Sequence, residues 1–301
     1  MNRSESPIDN DLQADDITVE PNLRPKKLDG YFGQQLVKDE LMIGIQAAKK
    51  RNESIDHLLF HGPPGLGKTT LAMIVAEEMG VSIRITSGPA IERAGDLASI
   101  LTNLQKDDIL FIDEIHRLPL TVEEVLYPAM EDFSVDIVLG KGPKAREVRL
   151  KINKFTLIGA TTKFSLVSQP LRDRFGSTHR LEFYELEDLE KIILQSANAL
   201  DCVISPKGII EIAKRSRGTA RVANRILRRV RDFATVESNG EIDDKVANQA
   251  LERLQIDDFG LDQMDRHLLK SLVGDFNGGP VGLDTLAAAI SEDSETIMDV
   301  Y

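Results

Sequence analysis

From about residue 57 to 183, short apolar runs alternate with amphipathic stretches, the pattern of a parallel sheet with helices on both faces. Four runs predict strands, at residues 57–61, 81–86, 109–112 and 155–160. Polar or glycine-rich motifs follow these runs, at the carboxyl ends of the strands, where ligands of open α/β sheets bind. Beyond Tyr184 the pattern becomes helical only, with Val222, Ile226, Val230 and Phe233 recurring at near-helical spacing. Ser205-Pro206 reads as a helix cap and first-turn pair. From Leu261 onward, two helical patterns flank Gly278-Gly279-Pro280, and a third begins near Ser294 and reads as cut short at Tyr301.

Composition refines this picture. A chain of 301 residues, 42% hydrophobic, can build two or three packed domains. No run of about 18 apolar residues occurs and no signal pattern opens the chain, so a cytoplasmic protein without a membrane span is expected. The single cysteine, Cys202, has no CxxC partner or histidine cluster, which argues against disulfides, a zinc site and thiol catalysis.

The formal charge is −12, but it is unevenly spread. Residues 1–20 hold Glu5, Asp9, Asp11, Asp15, Asp16 and Glu20 against Arg3, which predicts a disordered acidic tail. Residues 205–235 hold nine basic side chains: Lys207, Lys214, Arg215, Arg217, Arg221, Arg225, Arg228, Arg229 and Arg231. For most of these arginines a solvated helix face is the expectation.

The sharpest motif is Gly62-Pro63-Pro64-Gly65-Leu66-Gly67-Lys68-Thr69, preceded by an apolar run and followed by a helix-forming one. It matches G-x-x-x-x-G-K-[ST], the loop that cradles nucleotide phosphates. Gly62, Gly65 and Gly67 let backbone N–H groups approach phosphate oxygens, and the helix start carrying Lys68, Thr69 and Thr70 adds partial positive charge. Lys68 is placed for the β and γ phosphates, and the Thr69 hydroxyl for Mg2+. ATP and Mg2+ are therefore the expected ligand and ion.

An apolar strand ending in Asp113-Glu114 follows about fifty residues later. Asp113 can hold the Mg2+ shell, and Glu114 can polarise the attacking water. Two acids after a strand would otherwise be a common helix cap, and His116 just beyond can couple to the site, although a histidine at a helix start is more often structural. Thr161 and Thr162 close the strand over 155–160, where a hydroxyl can bond the γ-phosphate or its water; a plain threonine turn is the weaker reading. Pro170-Leu171-Arg172-Asp173-Arg174-Phe175 sets two arginines at the domain edge, away from the chain's own phosphate loop, so one can act on a neighbouring subunit. The bland alternative is an Arg-Asp surface pair of little energetic weight.

This set of motifs resembles the AAA+ ATPases, and within them the RuvB family of Holliday-junction branch-migration motors. The matching stretches include Leu23-Arg24-Pro25, Tyr31-Phe32-Gly33-Gln34, the phosphate loop, Asp113-Glu114-Ile115-His116-Arg117-Leu118, Gly159-Ala160-Thr161-Thr162 and Leu171-Arg172-Asp173-Arg174-Phe175-Gly176. The resemblance covers about residues 23–301. It implies that Leu23 and Arg24 contact the adenosine end, that Glu131, Asp132, Phe133 and Tyr184 help line the nucleotide site, and that Arg174 is the trans-acting finger. It also makes Arg221, in Gly218-Thr219-Ala220-Arg221, the sensor of the γ-phosphate. Ala220 departs from the family's usual proline, which would loosen that helix start.

Residues 135–139 and 147–152 are β-rich and joined by Gly140-Lys141-Gly142-Pro143, so they read as an inserted hairpin whose Val148, Leu150 and Ile152 form one apolar face. That face is either core or interface; the resemblance implies that it docks the junction-binding partner RuvA. The expected organisation is an acidic tail over 1–22, a large AAA+ domain over 23–184 with the hairpin near 134–153, a small helical lid over 185–256, and the start of a winged-helix head over 257–301. The expected function is an ATP-driven DNA motor in a homo-oligomeric ring, with six subunits implied, acting on duplex and four-way junction DNA. A clamp-loader or remodelling AAA+ subunit and a non-hydrolysing nucleotide switch with a helix-turn-helix module are the alternatives; Glu114 and Arg174 argue against the switch.

Overall fold

The central apolar runs form the middle of a sheet buried on both sides, as their lack of alternation requires. The computed structural model describes residues 23–139 and 146–300, so the expected tail over 1–22 and the hairpin turn over 140–145 lie outside the described residues. The chain divides into two compact units: residues 25–182, and residues 183–300 together with Leu23 and Arg24.

In the first unit the order is α1 (Gln35–Arg51), β1 (Leu58–His61), α2 (Lys68–Met79), β2 (Ile83–Ser87), α3 (Ala94–Thr102), β3 (Ile109–Asp113), α4 (Leu120–Glu131), β4 (Ser134–Leu139), β5 (Arg146–Lys151), β6 (Thr156–Thr161), α5 (Gln169–Arg172) and β7 (Ser177–Arg180). Five strands pair in the order β2-β3-β6-β1-β7, with every pairing parallel. Register sets His61 beside Thr161 and Arg180, so the phosphate loop, the Asp113 end of β3 and the Thr161 end of β6 emerge at one end of the sheet. Beneath them lies a core that includes Leu59, Leu110, Ile112, Ile115, Leu126 and Leu157. Burying such side chains stabilises the unit by about 1.5–3 kcal/mol each.

The edge strand β7 was not expected from the sequence. Its residues, Ser-Thr-His-Arg, carry no apolar run, and only His179 among them is buried. Backbone pairing to β1 forms it, along with the His179 Nδ1 contact to Glu40 at 3.0 Å and the Ser177 hydroxyl 2.9 Å from Nε2.

The hairpin forms as expected, β4 antiparallel to β5, with Val135 opposite Leu150 and Asp136 opposite Arg149. Arg149 grips Asp136 with two hydrogen bonds of 2.8 and 2.9 Å. Val148 and Leu150 are exposed, at 36% and 39%, while Ile152 packs against the core. The apolar face is therefore divided between core and solvent.

The second unit contains α6 (Leu186–Ala199), β8 (Val203–Ile204), α7 (Pro206–Lys214), α8 (Ala220–Glu237), β9 (Glu241–Ile242), α9 (Asp244–Arg253), α10 (Gln263–Gly274), α11 (Leu283–Ile290) and α12 (Ser294–Val300). The expectation of helices alone misses the short parallel pair β8 and β9. Ser205 caps α7 by accepting from the Gly208 N–H, with Pro206 in the first turn.

The solvated-face expectation for the arginines is overturned. Arg215, Arg225 and Arg228 are buried, and only Lys207 and Lys214 of the nine basic residues are exposed. Arg215 reaches Glu211, the Asp257 carbonyl and Asp258, and Arg217 reaches the Gly260 carbonyl and Asp265. Arginine tolerates such burial because its planar fork has donors for several acceptors at once. Among the described residues no helix is long and apolar enough to cross a membrane.

Candidate active site at the carboxyl end of the sheet

Gly62 leaves β1 with φ 141°, and a Cβ there would lie 2.4 Å from the Leu181 carbonyl oxygen, so only glycine fits the turn into the loop. Gly67, at φ 92°, then turns the chain into α2. The first N–H groups of a helix have no partner within it, so the start of α2 at Lys68, Thr69 and Thr70 directs donors and positive partial charge toward the loop. Lys68 is 8% exposed, and its ammonium donates to the carbonyls of Gly62 and Pro63, each at 2.8 Å. From the segment preceding α1, the Tyr31 hydroxyl donates to the Leu66 carbonyl at 3.2 Å and braces the loop from outside. Gln34 exchanges two hydrogen bonds with the Glu182 backbone.

The acids follow on β3. The Glu114 N–H donates to Asp113 Oδ1 at 2.9 Å, and Glu114 adopts φ 48°, which turns the chain sharply after the strand. The Glu114 carboxylate lies 3.2 Å from Arg117 in a pair exposed on both sides. Thr161 is fully buried; its hydroxyl accepts from the Lys163 N–H at 3.0 Å and lies 2.9 Å from His116 Nδ1. Thr162 is exposed. Burial pushes the His116 imidazole below its usual range, against the opposing pull of Glu114. A neutral His116 can accept the Thr161 proton, which ties the end of β6 to the turn after Glu114. Of the two readings the sequence allows for His116, the contact with Thr161 favours coupling to the site.

Thr69 and Asp113 supply hard oxygen donors, and Mg2+ characteristically takes one or two such protein ligands together with phosphate oxygens. Among the described residues no cluster of three or more His, Cys, Asp or Glu could hold a metal by itself.

A second group of expected site residues gathers at the opposite, amino end of the sheet. His57 accepts from the Leu157 N–H through Nδ1 at 2.7 Å, so its proton sits on Nε2, 3.2 Å from the Met130 carbonyl. This bond ties the end of α4 to the start of β1. Phe133 meets Phe155 edge-on at 6.3 Å, and Phe155 in turn lies 5.7 Å from His57. The Gly176 N–H donates to the His57 carbonyl, which sets the Arg174 turn in the same place. Arg174 Nε is 3.2 Å from Glu131, its Nη1 donates to the Pro170 carbonyl at 2.7 Å, and its guanidinium covers the Tyr127 ring at 4.4 Å. The length of β1 separates this group from the phosphate loop by about 10 Å. Glu131, Asp132, Phe133 and Arg174 therefore do not join this chain's own phosphate site.

In the second unit, Tyr184 is buried and its N–H donates to the Gly218 carbonyl at 2.8 Å. A Cβ on Gly218 would come within 2.9 Å of Phe183. Arg221 stands in the first turn of α8, half-buried, after the Thr219 cap whose hydroxyl accepts from Val222 at 3.4 Å. Ala220 is the first residue of α8, directly after that cap.

The sequence matches the family model of the Holliday junction DNA helicase RuvB P-loop domain over residues 23–181, the RuvB AAA lid domain over 184–257 and the RuvB C-terminal winged helix domain over 258–301. The chain belongs to the RuvB family. A RuvB relative from Chloroflexus aggregans, named as the Holliday junction branch migration complex subunit, is 60% identical over 288 residues, covering 96% of this chain and 82% of the relative. The solved Thermotoga maritima RuvB, described as a Holliday junction branch migration motor, superposes with a TM-score of 0.82 at 47% identity, over 93% of this chain and 89% of that one. A point mutant of the same Thermotoga protein gives a TM-score of 0.84 with the same identity and coverage. Within the RuvB family's three-domain plan, the phosphate-site residues fall in the P-loop domain and Arg221 in the lid.

Proposed function

We propose that this chain is the ATP-hydrolysing motor subunit of a branch-migration complex acting on four-way DNA junctions, with each active site completed by a neighbouring subunit in a ring. One observation carries the reading: Lys68, Asp113 and Glu114 gather at the carboxyl end of the sheet, whereas Arg174 is held at the amino end, out of reach of them. One copy thus holds the parts for binding and water activation, while its own Arg174 is out of reach of them.

The chain's residues divide the work as follows. The Gly62 to Thr70 segment grips the phosphates through backbone N–H groups and the Lys68 ammonium. Thr69 and Asp113 would hold Mg2+, which would supply charge neutralisation for the phosphates. Glu114 orients and polarises the attacking water. Thr161, anchored on His116, fixes the turn that carries Thr162, and the exposed Thr162 hydroxyl is available to the γ-phosphate. Arg174 reaches the γ-phosphate of the adjacent subunit, a contribution of about 10³ to 10⁵ in other NTPases. Glu131, Asp132 and Phe133 travel with Arg174 and so belong to the same donated face. Leu23, Arg24, Tyr184 and Arg221 report the nucleotide to the lid.

A junction-binding partner would assist the matched winged-helix stretch in engaging DNA. The stretch 258–301 carries nine acidic residues against Arg266 and Lys270, whereas affinity for DNA phosphates comes chiefly from Lys and Arg. Exposed Val148 and Leu150 on the hairpin offer an apolar patch for the junction-binding protein RuvA.

The test is steady-state ATP hydrolysis by the chain alone and with four-way junction DNA plus RuvA, with Lys68→Ala as the blank. Stimulation by the pair, lost on Leu150→Asp, is the expected result. Turnover unchanged by junction and RuvA would overturn the assignment.

A further inference from the structure

Arg174 is built onto a platform that no phosphate motif includes. The guanidinium lies over the Tyr127 ring at 4.4 Å, while Nη1 donates to the Pro170 carbonyl. Below the ring, the buried Glu123 carboxylate accepts from the Tyr127 hydroxyl at 2.9 Å and from the Ser168 hydroxyl at 2.5 Å through one oxygen, Oε2. Ser168 also caps α5, the four-residue helix that leads into Arg174. One carboxylate thus ties the helix carrying the ring to the turn carrying the arginine.

This arrangement is costly to build for packing alone. A buried carboxylate is unfavourable unless its lone pairs are satisfied, and an apolar side chain would fill the same space without that penalty. A long arginine also holds rotamer entropy, which an unguided finger would lose on engaging a phosphate across an interface. A ring face under the guanidinium restricts it beforehand.

We propose that Tyr127 is the positioning residue for Arg174, presenting the guanidinium to the neighbouring subunit, with Glu123 and Ser168 fixing the ring. This rests on the reading that Arg174 acts in trans.

The experiment compares Tyr127→Leu, Tyr127→Phe and Arg174→Ala rings, measuring kcat and KM for ATP with junction DNA and RuvA present. Tyr127→Leu should lose roughly tenfold or more in kcat with KM changed less than about twofold, because its own phosphate site is intact. Tyr127→Phe keeps the ring face but loses the Glu123 anchor, so its kcat should fall between those of the wild type and Tyr127→Leu. Mixing Tyr127→Leu with Lys68→Ala subunits, whose finger is intact, should restore turnover at the Tyr127→Leu sites, which a merely structural defect would not allow. Full activity of Tyr127→Leu beside an inactive Arg174→Ala ring overturns the platform and leaves the trans reading standing; full activity of Arg174→Ala overturns the trans reading itself. Should Tyr127→Leu fail to assemble, Glu123→Gln takes its place: a lower kcat at unchanged KM supports the proposal, and an unchanged kcat sinks it.

Discussion

Arg174 Nε lies 3.2 Å from the Glu131 carboxylate, in a pair formed within one subunit at the end of the sheet opposite Lys68. The finger therefore has a counter-ion of its own, and a neighbour's γ-phosphate must compete with it. With side-chain exposures of 24% and 56%, the pair contributes at most about 1 kcal/mol, so the competition is easily won. Arg174→Ala should consequently shift the thermal midpoint little, leave the affinity for a fluorescent ATP analogue intact, and remove turnover. Loss of nucleotide affinity in that variant would place Arg174 in its own subunit's site.

Lys68 and Glu114 separate binding from chemistry. Lys68→Ala removes a buried ammonium from the loop and should lose both nucleotide affinity and hydrolysis. Glu114→Gln keeps the shape of the site, so ATP should bind normally while turnover falls by about 10² to 10⁴, the usual contribution of a general base. Equilibrium binding paired with single-turnover hydrolysis distinguishes the two.

Four histidines contribute to a loss of stability at mildly acidic pH. Burial is the leading cause holding His57, His61, His116 and His179 below the usual imidazole range of about 6.5. Their folded pKa values lie under the unfolded one, so the unfolded chain binds more protons at mildly acidic pH. The stability they contribute is fully present above about pH 6.5 and is lost as pH falls toward the folded values. Urea midpoints taken at about pH 7.5 and 5.5 should fall with acidification, and His57→Gln should reduce the fall. Equal midpoints in the wild-type protein would contradict this.

Asp265 serves two structures at once. It accepts from the Asp262 N–H at 2.8 Å in the capping box of α10, and it pairs with Arg217. Asp265→Ala should therefore cost more stability than Arg217→Ala, the excess being about 1 kcal/mol for the lost cap. Hydrogen exchange over residues 258–300 in the two variants measures the difference; equal protection would deny the double role.

Much of the nucleotide site was legible because its parts are local: a strand, a glycine turn and a helix start follow one another in the sequence from 57 to 76. The strand ends bearing Asp113 and Thr161 were legible for the same reason. The grouping of Glu131 to Phe133 with Arg174 was not, since it depends on β1 lying between β6 and β7 and on the His57 bond to Met130. The strand β7 hid because an edge strand held by backbone pairing needs no apolar run. Arg225 and Arg228 were misread because periodicity counts arginine as polar, although Arg225 sits three residues from Val222 and beside Ile226 on the buried side of α8. His116 was visible but undecidable until Thr161 was placed 2.9 Å from it.

The most direct measurement mixes two inactive variants. Lys68→Ala subunits keep Arg174 but lack a working phosphate loop, and Arg174→Ala subunits keep the loop but lack the finger. With co-purification of differently tagged subunits proving that mixed rings form, ATP hydrolysis and junction branch migration are then assayed with RuvA and four-way DNA. Shared active sites predict that the mixture regains hydrolysis which neither variant has alone; mixed rings as inactive as their parents would contradict the account.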